Sequence, residues 1–237
     1  MIPESKQPEI LYEDNHILVA LKPPGLLSQA DITGDSDILT NLKEYIRQSR
    51  NKPGNVYMGL LHRLDRSTGG IMVFALTSKA AGRLSEDFRK SKVIKKYLAM
   101  APFTVRKCSE LLGGFTGELK DIYRKDESRR MAVSCSADHP QAKQARLKYT
   151  IRQDLSTASH TVFEIELLTG RFHQIRYQLS SRGLPLAGEA RYSNQGLSEF
   201  RLALWAYYLE FDHPVGTEVR RMKFERLPSE QWWKDRM

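Results

Sequence analysis

The apolar residues of this chain recur at every second position in short, closely spaced segments, and this period limits the fold more than any other feature. Leu147, Tyr149 and Ile151 alternate with polar residues, and Phe163, Ile165 and Leu167 alternate with Glu164 and Glu166. Successive side chains of a strand point to opposite faces, so such alternation marks strands with one buried face. Val93, Lys95, Tyr97 and Ala99 share a face of another strand over 93–101. Residues 10–21 read as a strand pair turning at Glu13-Asp14-Asn15 and ended by Pro23-Pro24-Gly25. Further strands are expected over 71–76 and 202–211. Helical spacing is confined to three places. Ile38, Leu42, Tyr45 and Ile46 form a stripe over 37–50; Ala80, Ala81, Leu84 and Phe88 form one over 79–90, with Ser78 as its N-cap; and Thr169-Gly170 opens a helix to about Ser181 that Gly183 stops. Residues 102–144 are expected to hold short strands with turns at Gly113-Gly114 and Gly117. Strands in adjacent runs with few helices predict an α+β fold built on a mixed, largely antiparallel sheet with flanking helices. The expected organisation is a polar tail over 1–9 and one domain over 10–237.

Composition narrows the function classes. Lys and Arg number 37 against 28 Asp and Glu, a formal net charge of +9, which favours a polyanionic partner. The two cysteines, Cys108 and Cys135, have neither disulfide-framework nor metal-site spacing, so a reducing compartment is expected and no metal centre. No apolar leader opens the chain, and the apolar run Ile71–Leu76 is far too short to cross a bilayer. The expected protein is cytoplasmic, acts away from membranes and is a monomer.

Three clusters carry possible chemistry. Asp65 lies in a loop of turn formers among Arg63, Arg66, Ser67 and Thr68. A carboxylate beside cations stays ionised and can act as nucleophile, base or ligand; it can also simply bond its own backbone in a turn. Arg176 lies beside or within the apolar stripe of Phe172, Ile175 and Leu179. A cation so placed requires an acid, and Asp65, Glu164 and Glu166 are all candidates. His173, nearer the polar side of that helix, suits a structural hydrogen-bonder as well as a functional group. Tyr97 stands among Lys92, Lys95 and Lys96, where an aromatic ring can stack on an unpaired base or pack within a sheet. Arg124, Lys125, Arg129 and Arg130 form a basic cluster that suits RNA contact or a solvated loop. Walker, dinucleotide and Ser-His-Asp patterns are missing.

In this order the motifs resemble those of the RluA-type pseudouridine synthases. The resemblance rests on His62-Arg63-Leu64-Asp65-Arg66-Ser67-Thr68-Gly69-Gly70 followed by an apolar strand, on Lys96-Tyr97, on Leu168 through Arg176, and on Gly183 through Tyr192. Glu13-Asp14 and Lys22-Pro23-Pro24-Gly25-Leu26-Leu27 extend it to about residues 10–225. Departures are Gly69 where Ser is usual, Gly188-Glu189 where Gly-Asp is common, and Trp205 where His is often found. The resemblance implies the pseudouridine synthase catalytic fold, without the N-terminal S4-like domain of many relatives. It implies isomerisation of uridine in ribosomal or transfer RNA without a cofactor. Asp65 would be the catalytic aspartate, Tyr97 would stack on the target base, Arg176 would pair with Asp65, and Arg63 would help hold the displaced nucleotide open. His62, Arg66, Thr68, Lys96, Arg171 and His173 would contact substrate or RNA. The rival readings are an RNA-binding module without turnover and a glycoside hydrolase. The second would require two acids flanking the scissile bond, where only Asp65 sits in a motif.

Overall fold

The computed structural model describes residues 8–51, 53–193, 202–216 and 218–235. The chain forms two compact units. The first takes residues up to Ile94 and then Ala206–Arg226, and the second takes Lys95–Trp205 and the residues from Leu227 on. In chain order the first unit holds β1 (Ile10–Glu13), β2 (Ile17–Lys22), α1 (Ile38–Ser49), β3 (Gly59–Leu60), β4 (Gly69–Ala75) and α2 (Ser78–Arg89). The second holds β5 (Ile94–Ala101) from Lys95 on, α3 (Val105–Leu112), β6 (Thr116–Asp126), β7 (Met131–Ser134), β8 (Lys143–Ile151), β9 (Thr161–Leu167) and α4 (Gln174–Ser180). The chain returns to the first unit within β10 (Leu204–Asp212) and adds β11 (Arg221–Glu225) there; the short α5 (Gln231–Lys234) belongs to the second unit. Part of the expected tail, residues 1–7, lies outside the described residues.

In the first unit the strand order is β1-β2-β4-β10, with β11 on β10 and β3 on β4. The β1–β2 turn forms because the Asp14 carboxylate accepts from the backbone N–H of His16 and Ile17, at 2.7 and 2.8 Å. All of β2 and all of β4 are buried, which explains why these two strands read as continuous apolar runs rather than alternating ones. In α1, Asp37 caps the first turn by accepting from Thr40 N, and Ile38, Leu42 and Ile46 are buried as the spacing predicts. Tyr45 is exposed and Asn41 takes its place on the buried face. α2 is capped by Thr77 rather than Ser78. Thr77 is extended and its side chain accepts from Ala80 N, so the helix starts one residue earlier than expected.

The second unit is an antiparallel sheet ordered β5-β9-β8-β6-β7. Here the expectation for residues 102–144 needs correction. An unforeseen helix, α3, is capped by Thr104 and ended by Gly113 in the left-handed conformation, φ 75°. One eleven-residue strand, β6, runs through the turn expected at Gly117, and the four-residue β7 is the short strand that follows it. Gly117 makes no turn but lies inside β6, where a Cβ would come within 2.9 Å of the Tyr149 ring. The expected helix from Thr169 also starts later. The Gln174 side chain reaches back, its Oε1 accepting from Thr169 Oγ1 at 2.8 Å and from Arg171 N at 3.0 Å. His173 is left-handed, φ 50°, so residues 169–173 form a tied loop and only Gln174–Ser180 is helical.

Gly70 yields the clearest test of the first unit. Its φ is +127°, and a Cβ there would lie 2.3 Å from the backbone oxygen of Ala206 on β10. Gly70→Ala is expected to cost at least ~2 kcal/mol, since both the conformation and the approach of two backbones exclude a side chain. Urea unfolding of the pure variant checks this; a midpoint equal to wild type would refute it.

Candidate active site

The loop between β3 and β4 carries Asp65, and the segment after β2 holds that loop in place. Ser28 Oγ donates to Leu64 O at 2.7 Å and accepts from Leu64 N at 3.1 Å. Gly25 N donates to Arg66 O at 2.7 Å, and Arg66 Nε returns a bond to Gly25 O at 3.1 Å. Arg66 also pairs with Asp35 at 2.7 Å, a largely exposed contact that adds little stability. Thr68 N donates to Asp65 O at 3.0 Å and closes the turn around the carboxylate. Asp65 itself is half-buried and Arg63 is exposed.

Beneath this loop lies Lys22, which is 0% exposed. Its ammonium donates to the carbonyls of Leu26, Pro23 and Arg66, at 2.7, 3.1 and 3.2 Å. Three donors thus meet three acceptors. Burial draws the Lys22 pKa down to about 7; the negative charge of Asp65 opposes that shift and Arg66 adds to it. Sequence reasoning noted Lys22 only as part of a motif. Its Pro-Pro-Gly sequel was the available signal, because a lysine ending a fully apolar strand must find acceptors.

The other expected residues of the first unit divide by role. His62 Nε2 accepts from Val73 N at 3.1 Å, and its ring stacks on Phe88 with centroids 5.0 Å apart, so the imidazole helps to bind the loop to β4 and α2. Thr68 is 2% exposed, and its hydroxyl has no hydrogen-bond partner among the described residues.

The second unit carries the rest. Tyr97, 7% exposed, lies on β5 opposite Ile165, and Lys96 reaches Glu164 at 3.2 Å. Glu164 also receives Arg152 at 3.1 Å. Arg171 is exposed and its Nε donates to Gln144 O. Arg176, 6% exposed, makes a two-pronged ion pair with Glu189: Nε to Oε2 and Nη2 to Oε1, both 2.7 Å. Glu189 was missed as a partner in sequence. Spacing could not choose among Asp65, Glu164 and Glu166 and did not single out this acid, which sits 13 residues on, in a turn. Arg176 Nη1 also lies 3.2 Å from His173 Nε2, and His173 Nδ1 lies 2.9 Å from the Tyr192 hydroxyl. Burial, and then the nearby Arg176 charge, lowers the His173 pKa to about 3, so the ring is neutral at ordinary pH. The basic cluster 124–130 forms the β6–β7 hairpin, with Arg129 and Arg130 exposed and Lys125 Nζ 5.1 Å over the Phe172 ring. Among the described residues no group of His, Cys, Asp and Glu could hold a metal ion. None of their helices is long and apolar enough to cross a membrane.

Lys22 makes stability depend on pH in a defined direction. Its folded pKa lies below its unfolded value, so between about pH 7 and pH 10 the unfolded chain holds a proton that the folded chain sheds. Stability contributed through Lys22 should therefore rise with pH across that window, by up to about 1.4 kcal/mol per unit, and be flat below it. Subtracting the Lys22→Met curve isolates this slope, because other titrations cancel. Parallel curves for the two proteins from pH 7 to 10 would show that the ammonium stays charged.

The chain matches the family model described as RNA pseudouridylate synthase over residues 16–181. It is 31% identical over 221 residues to an uncharacterized RNA pseudouridine synthase, YhcT, of Bacillus subtilis, covering 92% of this chain and 68% of that protein. It is 34% identical over 241 residues to ribosomal large subunit pseudouridine synthase D of Pseudomonas aeruginosa, covering 95% and 70%. Similarity to tRNA pseudouridine synthase C of Haemophilus ducreyi is 26% over 235 residues, covering 94% of this chain and 92% of that protein. Some large-subunit relatives are longer still, with 62% of their length spanned. The solved structure of human RNA pseudouridylate synthase domain containing 4 superposes with a TM-score of 0.70 over 93% of this chain and 89% of the other, at 24% identity, which shows a shared fold. With a family model over most of its length and relatives above 30% identity, this chain belongs to the RNA pseudouridylate synthases and, among them, to the RluA type.

Proposed function

We propose that this protein isomerises specific uridines of ribosomal or transfer RNA to pseudouridine, with Asp65 as the catalytic carboxylate. The observation that carries this reading is the family match across 16–181, a span that includes Asp65 and the Lys22 and Ser28 contacts that brace its loop. The reading takes 10–237 as one catalytic domain acting as a monomer in the cytoplasm. Asp65 either attacks C1′, forming an ester bond that C5 later displaces, or removes the C2′ proton, which returns to C2′ when C5 adds; by either route the N1–C1′ bond breaks with its electron pair passing to the base. The uracil then rotates, C5 bonds to C1′, the C5 proton leaves and N1 takes up a proton, so the product is an isomer of the substrate. No cofactor enters this scheme. Tyr97 stacks on the base, and its hydroxyl is the candidate for proton transfer. Arg176 keeps Asp65 ionised, Arg63 holds the displaced nucleotide open, and His62, Arg66, Thr68, Lys96, Arg171 and His173 contact substrate or RNA.

The energetics are consistent. A stacked uracil cannot reach a carboxylate and must be flipped out, at a cost of a few kcal/mol. Stacking on an aromatic ring returns about 1–3 kcal/mol. Phosphate contacts from a chain of net charge +9 supply sequence-independent affinity, and the relatives named above include enzymes of ribosomal and transfer RNA.

Two expected outcomes follow from this reading. Asp65→Asn should abolish tritium release from RNA carrying C5-tritiated uridine while RNA affinity stays within a few fold, since most affinity comes from phosphates. Normal turnover in that variant would remove Asp65 from the chemistry. For Tyr97, the Phe variant should bind RNA nearly normally, whereas Tyr97→Leu should weaken engagement of the target base by about 1–3 kcal/mol. Melting temperature, RNA affinity and single-turnover rate of both variants decide this. A Leu variant equal to wild type in all three would return Tyr97 to a packing role.

A further inference from the structure

We propose that Glu189 is a positioning residue for the reaction: it fixes the plane of the Arg176 guanidinium, so that Arg176 acts as an aimed donor rather than as a loose positive charge. This rests on the role given to Arg176 under Proposed function. The Glu189 side chain is 0% exposed and that of Arg176 is 7% exposed. Stability alone does not account for two charges so buried, because an apolar pair of similar volume commonly serves stability as well or better. The fork-to-fork contact engages Nε and Nη2 together, and this fixes orientation as well as distance.

Glu189 is itself held by its own turn. Its Oε1 accepts from Arg191 N at 2.8 Å, its N–H donates to Leu186 O at 3.0 Å, and its carbonyl accepts from Ser193 Oγ. Gly188 before it is left-handed, φ 78°. Burial raises the Glu189 pKa, but the Arg176 contact and the backbone N–H groups of Arg191 and Tyr192 outweigh it, so the net shift is downward and the carboxylate is charged.

A second contact fixes the other side of the guanidinium. Arginine can only donate, so His173 Nε2, 3.2 Å from Nη1, must be the unprotonated nitrogen. Nδ1 then carries the proton and donates to the Tyr192 hydroxyl at 2.9 Å, and that hydroxyl also accepts from Ala132 N at 2.7 Å. The arrangement runs from a rigid turn through Glu189, Arg176, His173 and Tyr192 to the backbone of β7. It defines one tautomer of one histidine, which is a spectroscopic mark of the arginine's position.

The experiment uses the full chain and an RNA that the wild-type protein converts, with Asp65→Asn as the control for the site. Glu189→Gln should keep RNA affinity within a few fold and lose about 100-fold in single-turnover rate, the scale of a 1 Å misplacement. Glu189→Asp, which restores the charge and one or both prongs, should recover at least tenfold of that loss. Arg176→Lys, which keeps the charge and the pairing with Glu189 but not the fork, should be as slow as Glu189→Gln. In 15N spectra the His173 ring should be the Nδ1–H tautomer in wild type and lose that fixed state in Glu189→Gln. Wild-type rate in Glu189→Gln or in Arg176→Lys overturns the proposal. So does a loss that simply tracks melting temperature across the variants, with no recovery in Glu189→Asp. If Asp65→Asn turns over normally, the reading of the reaction has failed instead. The histidine spectra then decide the positioning role alone: an unchanged tautomer in Glu189→Gln overturns it. Should Glu189→Gln not fold, Arg176→Lys and Glu189→Asp carry the same comparison.

Discussion

A single buried ammonium underlies the Asp65 loop. Lys22 ends the fully buried strand β2 and has no water to turn to, so its three N–H bonds must go to protein oxygens. It finds them in Pro23, Leu26 and Arg66. Two of these lie in the turn directly after β2, and the third lies 44 residues away, in the loop that carries Asp65. The same charge that needs those carbonyls lies in the field of the Asp65 carboxylate. Ser28, which bonds Leu64 in both directions, makes the brace two-sided. A carboxylate on a free loop would sample many positions; here the backbone on both sides of Asp65 is bonded to one segment, which limits where the carboxylate can sit.

The second unit solves the opposite problem. There a guanidinium rather than an ammonium is buried, and its planar fork calls for two parallel acceptors. Glu189 provides both, and the neutral His173 accepts from the remaining side. The loop over 169–173 is not helical because the Gln174 side chain captures Thr169 and Arg171, and the left-handed His173 then turns its ring toward Arg176 and Tyr192. Local backbone choice and site geometry are thus one event: were the helix to begin at Thr169, His173 would have helical rather than left-handed backbone angles.

The distribution of charge follows a division of labour common to RNA-binding enzymes. Buried charges, Lys22, Arg176 and Glu189, are satisfied within the protein, whereas Arg63, Arg129, Arg130 and Arg171 are exposed. On the function proposed above, the exposed cations are the groups available for phosphate contacts, which are strong and indifferent to sequence.

Much of this was legible in the chain itself. Period-two alternation located β8 and β9, the apolar runs located β2 and β4, and the ordered motifs around Asp65, Tyr97 and Arg176 identified the family, because each of these signals lies within a few consecutive residues. Caps slipped by one residue, as at Thr77, since adjacent Thr and Ser offer equivalent acceptors and only the backbone angle chooses between them. α3 was invisible because only Cys108 of its eight residues is buried, too little to print a stripe. Gly117 looked like a turn until the Tyr149 ring on the neighbouring strand showed why no side chain fits. What the sequence determined by itself was the strand-rich class, the family and the loop that holds Asp65. What only the tertiary structure decided was which buried charge meets which partner: that Lys22 reaches the carbonyl of Arg66 and that Arg176 takes Glu189, an acid that spacing did not single out. Pairing depends on distance in space, and residues 44 or 13 positions apart have no fixed distance until the chain has folded.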